Sequence, residues 1–255
     1  MHAAVRQALI YDPVVTGSSA TRFDPARVAT LAEPVRRYFT HAVEDGAPLG
    51  GTQIQMRGRV KAGLWLPFTA EERCDGRSFD WDARVRVGPL RLLDVHDGYA
   101  AGIGATKGRL FGRVGVFGAR DEHTTRSAAG RAALESVVFS PASVLPEHGV
   151  EWRATGHDEI VARFDLPPER PEVTVRLDRT GAIQSAYALR WSNVGRTGHD
   201  YLRCGCTVHA EERFGPLLIP SSLTVSWGFG TPREAPFFEA ELTSVESIAP
   251  GPRPA

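Results

Sequence analysis

Cys204-x-Cys206-x-x-His209, with His199 and Glu211 nearby, offers soft ligands of the kind that hold zinc. A tetrahedral site needs a fuller set, and no second Cys-x-x-Cys or paired histidine completes this one. On a strand the two cysteines would share a face while His209 points away. They are therefore read as small strand residues, and no metal is expected. Gly102-x-Gly104, followed by Gly108, invites a phosphate-loop reading, but such a loop must open a helix whose first amides meet the phosphate. Residues 109–116 are glycine-interrupted and strand-like instead. These glycines are read as permitting bulges and sheet curvature, and no cofactor is expected. The pairs His96-Asp97 and His199-Asp200 would diverge if extended, and no Gly-x-Ser-x-Gly or His-Glu-x-x-His occurs.

Glu135 is the charge of greatest interest. It lies between Leu134 and Val137 in a helical stretch, where Arg131 at i−4 offers an ordinary surface pair. Alternatively it faces an apolar space, where a carboxylate must be paired or protonated and Arg190 is a candidate partner. The second reading defines a candidate ligand site of Glu135, Arg190, Trp65, Trp81, His96, Tyr99 and Tyr187. Trp152, Trp191 and Trp227 could extend its aromatic walls, although five tryptophans are equally explained as core.

The elements that would position these groups follow from periodicity. Residues 25–43 carry Val28, Leu31, Val35, Tyr38 and Phe39 on one helical face, with Asp24 as cap and a bend expected at Pro34. Residues 125–139 form a second helix, alanine-rich and free of proline, which ends before Ser140-Pro141. Elsewhere the period is two. Ile54, Met56 and Val60 alternate with Gln and Arg; Phe79, Trp81, Ala83, Val85 and Val87 alternate with Asp and Arg. The pattern returns at 150–154, 160–164, 173–177, 183–191, 223–227 and 238–242, between turn clusters. Strands 89–99 and 183–191 are partly apolar on both faces and must be covered twice. The fold expected is mainly β (α+β): a strongly curved antiparallel sheet or half-barrel of about ten strands, with an N-terminal helix and one interrupting helix across the concave face.

Composition narrows the partners. The chain has 255 residues, 42% hydrophobic and 24% charged, which is ordinary for a folded domain. Thirty basic and thirty acidic residues cancel, so no net charge draws it to nucleic acid or an anionic membrane. Residues 1–26 read as a flexible arm, 27–249 as a single β-rich domain and 250–255 as a disordered tail. No signal-like or membrane-spanning run is seen, and three cysteines are too few and odd in number for a disulfide framework. A cytoplasmic location is expected.

The order Pro34-Val35-Arg36-Arg37-Tyr38, Trp65-x-Pro67, Phe79-x-Trp81-x-Ala83, Asp97-Gly98-Tyr99-x-x-Gly102-x-Gly104, Glu135 six before Pro141, Leu145-Pro146, Trp152, Arg190, Ile219-Pro220 and Trp227 resembles a bacterial family of uncharacterised proteins. That family is known only as a domain of unknown function, and the resemblance covers residues 28–248. It implies a curved half-barrel similar to lipoprotein-carrier folds. Fold does not fix function. Three readings stay open: a soluble protein binding a hydrophobic or amphipathic small molecule inside the curved sheet, an enzyme using the same pocket with Glu135 as general acid or base, and a packed interaction domain without ligand.

Overall fold

The alternation of apolar and charged residues along the chain becomes, in a computed structural model, a set of long antiparallel strands. The structure describes residues 22–195 and 197–249. A 3-10 turn, Pro25–Val28, precedes helix α1, Glu33–Ala42. Six strands then form a meander: β1 Gly51–Ala62, β2 Leu64–Cys74, β3 Phe79–Val87, β4 Leu90–Ala100, β5 Ile103–Leu110 and β6 Val114–Ala119. Helix α2, Glu122–Phe139, interrupts, and a second meander follows: β7 Glu151–Ala154, β8 Glu159–Arg163, β9 Glu172–Leu177, β10 Ile183–Ser192, β11 Asp200–Phe214, β12 Leu217–Trp227 and β13 Ala235–Ile248. The two meanders join where β1 pairs with β13, in the register Gly51 to Ile248 through Val60 to Phe238. The result is one thirteen-stranded sheet with β6 and β7 at its free edges.

The sheet must be strongly curved. Laid flat, β5 and β10 would stand eight strand spacings apart, about 38 Å. Helix α2 has 18 residues and so is about 27 Å long, yet it packs against β4 and β5 on one side and β9 and β10 on the other. The sheet therefore wraps around it. α2 is suited to that place because it is apolar on nearly every side: Ala128, Ala129, Ala132, Ala133, Val137 and Val138 are all buried. Small side chains let the strands approach closely. At Gly104 on β5, a Cβ would lie 2.7 Å from Thr125 Cα and 2.8 Å from Ala128 Cβ, so only glycine seats the helix there.

Several expectations are corrected. The strands number thirteen among the described residues rather than about ten. β2 had no clean alternation at Leu64-Trp65-Leu66-Pro67, and β5 and β6 are rich in glycine. The helix expected over 25–43 is broken into the 3-10 turn and α1, because Pro34 sits in the first turn of α1, where its missing N–H costs nothing. α2 begins three residues earlier than expected, at Glu122, where Asp121 Oδ1 accepts from Thr124 N at 2.7 Å. Residues 22–26, expected within the arm 1–26, belong to the folded domain. Phe23 is in the core and its N–H donates to Ala47 O at 2.8 Å, while residues 1–21 and the tail 250–255 lie outside the described residues.

Gly104→Val should overpack the seat of α2 and lower unfolding free energy by about 2 kcal/mol or more. Gly115→Ala on β6, where a Cβ meets nothing within 4 Å, should stay within about 0.5 kcal/mol of the native chain. Urea unfolding of both variants checks the claim; equal losses would show that α2 does not press on β5.

Candidate ligand-binding site

Arg131 projects from α2 against β2, β3 and β4, and three carboxyls meet it. Its Nη1 donates to Asp97 Oδ2 at 2.6 Å and its Nε to Glu135 Oε1 at 2.6 Å. The guanidinium carbon lies 4.5 Å from the ring centroid of Phe79 and 4.9 Å from that of Trp81. Glu72, on the inward face of β2, completes the cluster and is 1% exposed. Neither Glu72 Oε1 nor Glu135 Oε2 has a partner if both acids are ionised. Burial pushes the Glu72 carboxyl well above its ordinary range, and the charge of Glu135 adds to the shift. Both causes favour the protonated form of Glu72, which would bring a donor to the one carboxylate oxygen of Glu135 that lacks a partner. For Arg131, burial opposes the charge, but Glu135, Asp97 and Glu72 together outweigh it and raise its pKa. The cluster clamps α2 to β2–β4.

On its other side α2 borders a cleft. β9 begins at Glu172 and its pairing with β10 ends at Val173–Ala188, so Leu189–Ser192 of β10 run on without a partner strand on that side. The gap is a cleft of about 260 Å³ lined by Arg126, Gly130, Pro171, Leu189, Trp191 and Tyr201, with Glu169, Arg170 and Glu172 at its margin. A polar clamp spans it. Arg126 Nε donates to Glu169 Oε1 at 2.5 Å, its Nη2 to Tyr201 Oη at 2.8 Å, and Tyr201 Oη donates to Glu169 Oε2 at 2.6 Å. The same guanidinium lies 3.6 Å from the Trp191 ring centroid. Trp191 Nε1 donates to His123 Nδ1 at 2.9 Å, and His123 stacks on His199 with centroids 3.9 Å apart. Gly130 lets α2 lie close against β10, since a Cβ there would meet Arg190 Cγ at 2.9 Å. Leu189 is 54% exposed beside this clamp.

Residues 21–240 match the profile of a family of unknown function, DUF6544. The chain belongs to that family. No curated protein matches it in sequence. Among solved structures it is similar to a putative outer membrane lipoprotein-sorting protein domain from Vibrio parahaemolyticus, at 9% identity and TM-score 0.45, covering 84% of this chain and 91% of that one. It is also similar to a LolA superfamily protein from Nitrosomonas europaea, at 7% identity and TM-score 0.44, covering 84% and 92%. A DUF1329 family protein from Desulfovibrio piger follows at 10% identity and TM-score 0.40, covering 84% and 90%.

The residues singled out from sequence separate onto different faces. Glu135 takes the partner of the plainer reading, Arg131, yet is half-buried against the sheet rather than on the open surface. Trp81 and Tyr99 face inward; the Tyr99 hydroxyl donates to Pro167 O at 2.7 Å. Arg190 does not reach Glu135. Its Nε donates to Ser127 O at 3.3 Å and its Nη1 to Cys204 Sγ at 3.4 Å, and its guanidinium lies 5.2 Å from the Trp227 ring centroid. Trp65, His96 and Tyr187 have the parity opposite to the buried Phe68, Ala83 and Ala186 and so lie on the convex face. His96 Nδ1 is 3.1 Å from Asp82 Oδ1 and 3.8 Å from Asp80 Oδ1 there; among the described residues these three alone could bring ligand atoms together as a trio, and they are largely exposed. The Cys204, Cys206 and His209 set does not converge. Both thiols are buried, that of Cys206 pushed up to about 12 by burial, while His209 is exposed and bonds Thr224 Oγ1 at 2.8 Å.

Sequence reasoning missed Glu72, Arg126, Glu169 and Tyr201. Glu72 carried a signal: it shares parity with Phe68, Ala70 and Cys74, the buried face of β2.

Arg131→Met should cost about 3–5 kcal/mol, because it strands buried carboxyls without their counter-charge. Glu72→Gln should cost far less near pH 5. The folded-state pKa of Glu72 is raised, so its contribution is present in full below the ordinary value of 4.5 and is lost as pH rises toward the folded value. As pH rises above the ordinary value of 4.5 the native chain should lose stability relative to Glu72→Gln, by up to about 1.4 kcal/mol per pH unit until the folded-state carboxyl ionises. Parallel urea midpoints across that rise would refute the protonated Glu72.

Proposed function

We propose that the protein binds a small amphipathic molecule, and that its seat is the cleft beside α2 rather than a hollow beneath it. The space beneath is occupied: α2 lies against the concave face with its alanines and valines buried. A second cavity, between α1, α2 and β12, holds about 10 Å³, room for a single water at most. The observation that carries the reading is the unpaired end of β10. It leaves Leu189 and Trp191 as an apolar wall facing a charged, hydrogen-bonded margin of Arg126, Glu169 and Arg170. Apolar walls with a few placed polar groups are the usual composition of small-molecule sites. Arg126 and Arg170 are each paired with a carboxylate, Glu169 and Asp165, so it is their remaining N–H groups that favour a hydrogen-bond-accepting head, and the modest volume favours a short apolar portion.

Glu135 does not line this cleft, and its carboxyl is engaged by Arg131. The geometry therefore supports binding over acid–base catalysis by that residue. A reducing compartment is our proposal for where the protein acts, supported by three free, buried thiols.

Native mass spectrometry of protein purified from its source organism should show a co-purifying small molecule. With 1-anilinonaphthalene-8-sulfonate as an anionic amphipathic probe, Leu189→Arg should weaken binding about tenfold, equivalent to about 1.4 kcal/mol. Glu135→Gln should leave it within a factor of about three. Probe affinity unchanged by Leu189→Arg would exclude the cleft, and absence of any bound mass or probe binding would favour a packed domain without ligand.

A further inference from the structure

The meander β1–β6 turns at Gly63, at Gly88-Pro89 and at Phe111-Gly112-Arg113, and strand alternation places these three turns along one rim of the sheet. Apolar side chains crowd the tips. Leu64 is 76% exposed, Leu90 62%, Val114 60% and Phe111 57%, with Val87 also exposed. Folded monomers do not usually gather large apolar residues on adjacent protruding tips, and a patch of this kind marks an interaction surface.

The charges beside the tips are mostly basic. Across residues 84–113 there are six basic residues and two acidic ones, in a chain whose overall charge is zero. Both acids are engaged, Asp94 by Arg91 and Asp97 by Arg131. Lys61, Arg84, Arg86, Arg109 and Arg113 are exposed and form no ion pair among the described residues, whereas Lys107 lies level with Asp82 across β4, away from the tips. Arg86 directly precedes Val87, Arg91 follows Leu90, Arg113 precedes Val114, and Lys61 stands three before Leu64. Asp80 and Asp82 lie toward the opposite end of β3. The cancellation of charge over the whole chain thus conceals a basic, apolar-tipped rim.

Each tip pairs a side chain that gains by leaving water with a cation whose long stem keeps its head at a polar boundary. A bilayer interface bearing anionic lipid offers both environments within a few ångströms, whereas nucleic acid or an acidic protein surface would leave the aliphatic tips without a partner. We propose that this rim docks the protein reversibly on an anionic lipid bilayer, with Leu64, Val87, Leu90, Phe111 and Val114 entering the headgroup boundary and the flanking Arg and Lys residues meeting lipid phosphates and carboxylates. No helix among the described residues is long and apolar enough to cross a membrane. The association is peripheral.

The test uses the full chain with phosphatidylcholine vesicles, with and without phosphatidylserine. Co-sedimentation should depend on phosphatidylserine and fall with added salt. The triple variant Leu64→Asp, Leu90→Asp, Phe111→Asp should lower the vesicle partition at least tenfold, with a circular dichroism melt confirming that it folds. A second measurement does not rely on loss of binding: Leu64→Cys, carrying an environment-sensitive fluorophore, should shift to the blue on addition of these vesicles. Labelling is selective because Cys74, Cys204 and Cys206 are buried. No partition and no spectral shift would overturn the proposal. So would binding to DNA or RNA that the triple variant retains, accompanied by no vesicle binding. A dimer in sedimentation equilibrium that the triple variant dissolves, again without vesicle binding, would assign the rim to a second copy of the chain and equally overturn it.

Discussion

A largely buried arginine among carboxyls is the interaction on which the rest of this structure leans. The inner face of a thirteen-stranded sheet has to be covered, and here the cover is a single alanine-rich helix with little sidedness of its own. Van der Waals contact alone would leave such a helix free to rotate or slide, since small apolar side chains are nearly interchangeable around its circumference. Arg131 removes that freedom. Its guanidinium has five donors in one plane, and it is held by Asp97 from β4 and Glu135 from its own helix, and stacks on Phe79 and Trp81 of β3. Leaving any of these charges alone in the interior would cost far more than the pairing returns, so the arrangement specifies an orientation more than it adds stability. The raised pKa of Glu72, caused first by its burial, limits the negative charge that a single cation must balance.

Once α2 is fixed, both candidate surfaces follow from where coverage stops. β9 pairs with only part of β10, so the last residues of β10 and the N-terminal half of α2 enclose a cleft in place of a ladder. The tips of the β1–β2, β3–β4 and β5–β6 hairpins protrude with apolar residues exposed. A small-molecule seat and a bilayer-facing rim on one body would let cargo be exchanged at a membrane surface, and the two properties can be tested independently because they share no residue.

Much of the sheet was legible as local periodicity. Phe79, Trp81, Ala83 and Val85 alternate with Asp and Arg, and they are buried in that alternation. α2 was legible from its alanines and from Pro141 beyond its end, though not its first turn, where His123 and Thr124 carry no apolar signal and the cap at Asp121 marks the start. β2 was hidden by Leu64-Trp65-Leu66-Pro67, and with it went Glu72. The candidate site was the least legible part. Glu135 was recognised and its neighbour Arg131 named, but Trp65, His96 and Tyr187 were grouped with residues that face the other way. Arg126, Glu169 and Tyr201 are 43 and 32 residues apart in sequence and share no pattern that would join them.

Taken alone, the sequence determined most of the elements, the buried face of the strands that alternate cleanly, and the choice of an alanine-rich helix as the piece to be buried, because these depend on steric and hydrophobic preferences repeating every two or 3.6 residues. Tertiary structure decided the pairing of β1 with β13, the curl that brings β5 and β10 to the same helix, and the meeting of Glu72, Asp97 and Arg131. Those contacts depend on register and curvature accumulated across many strands, quantities that no local window of the chain contains.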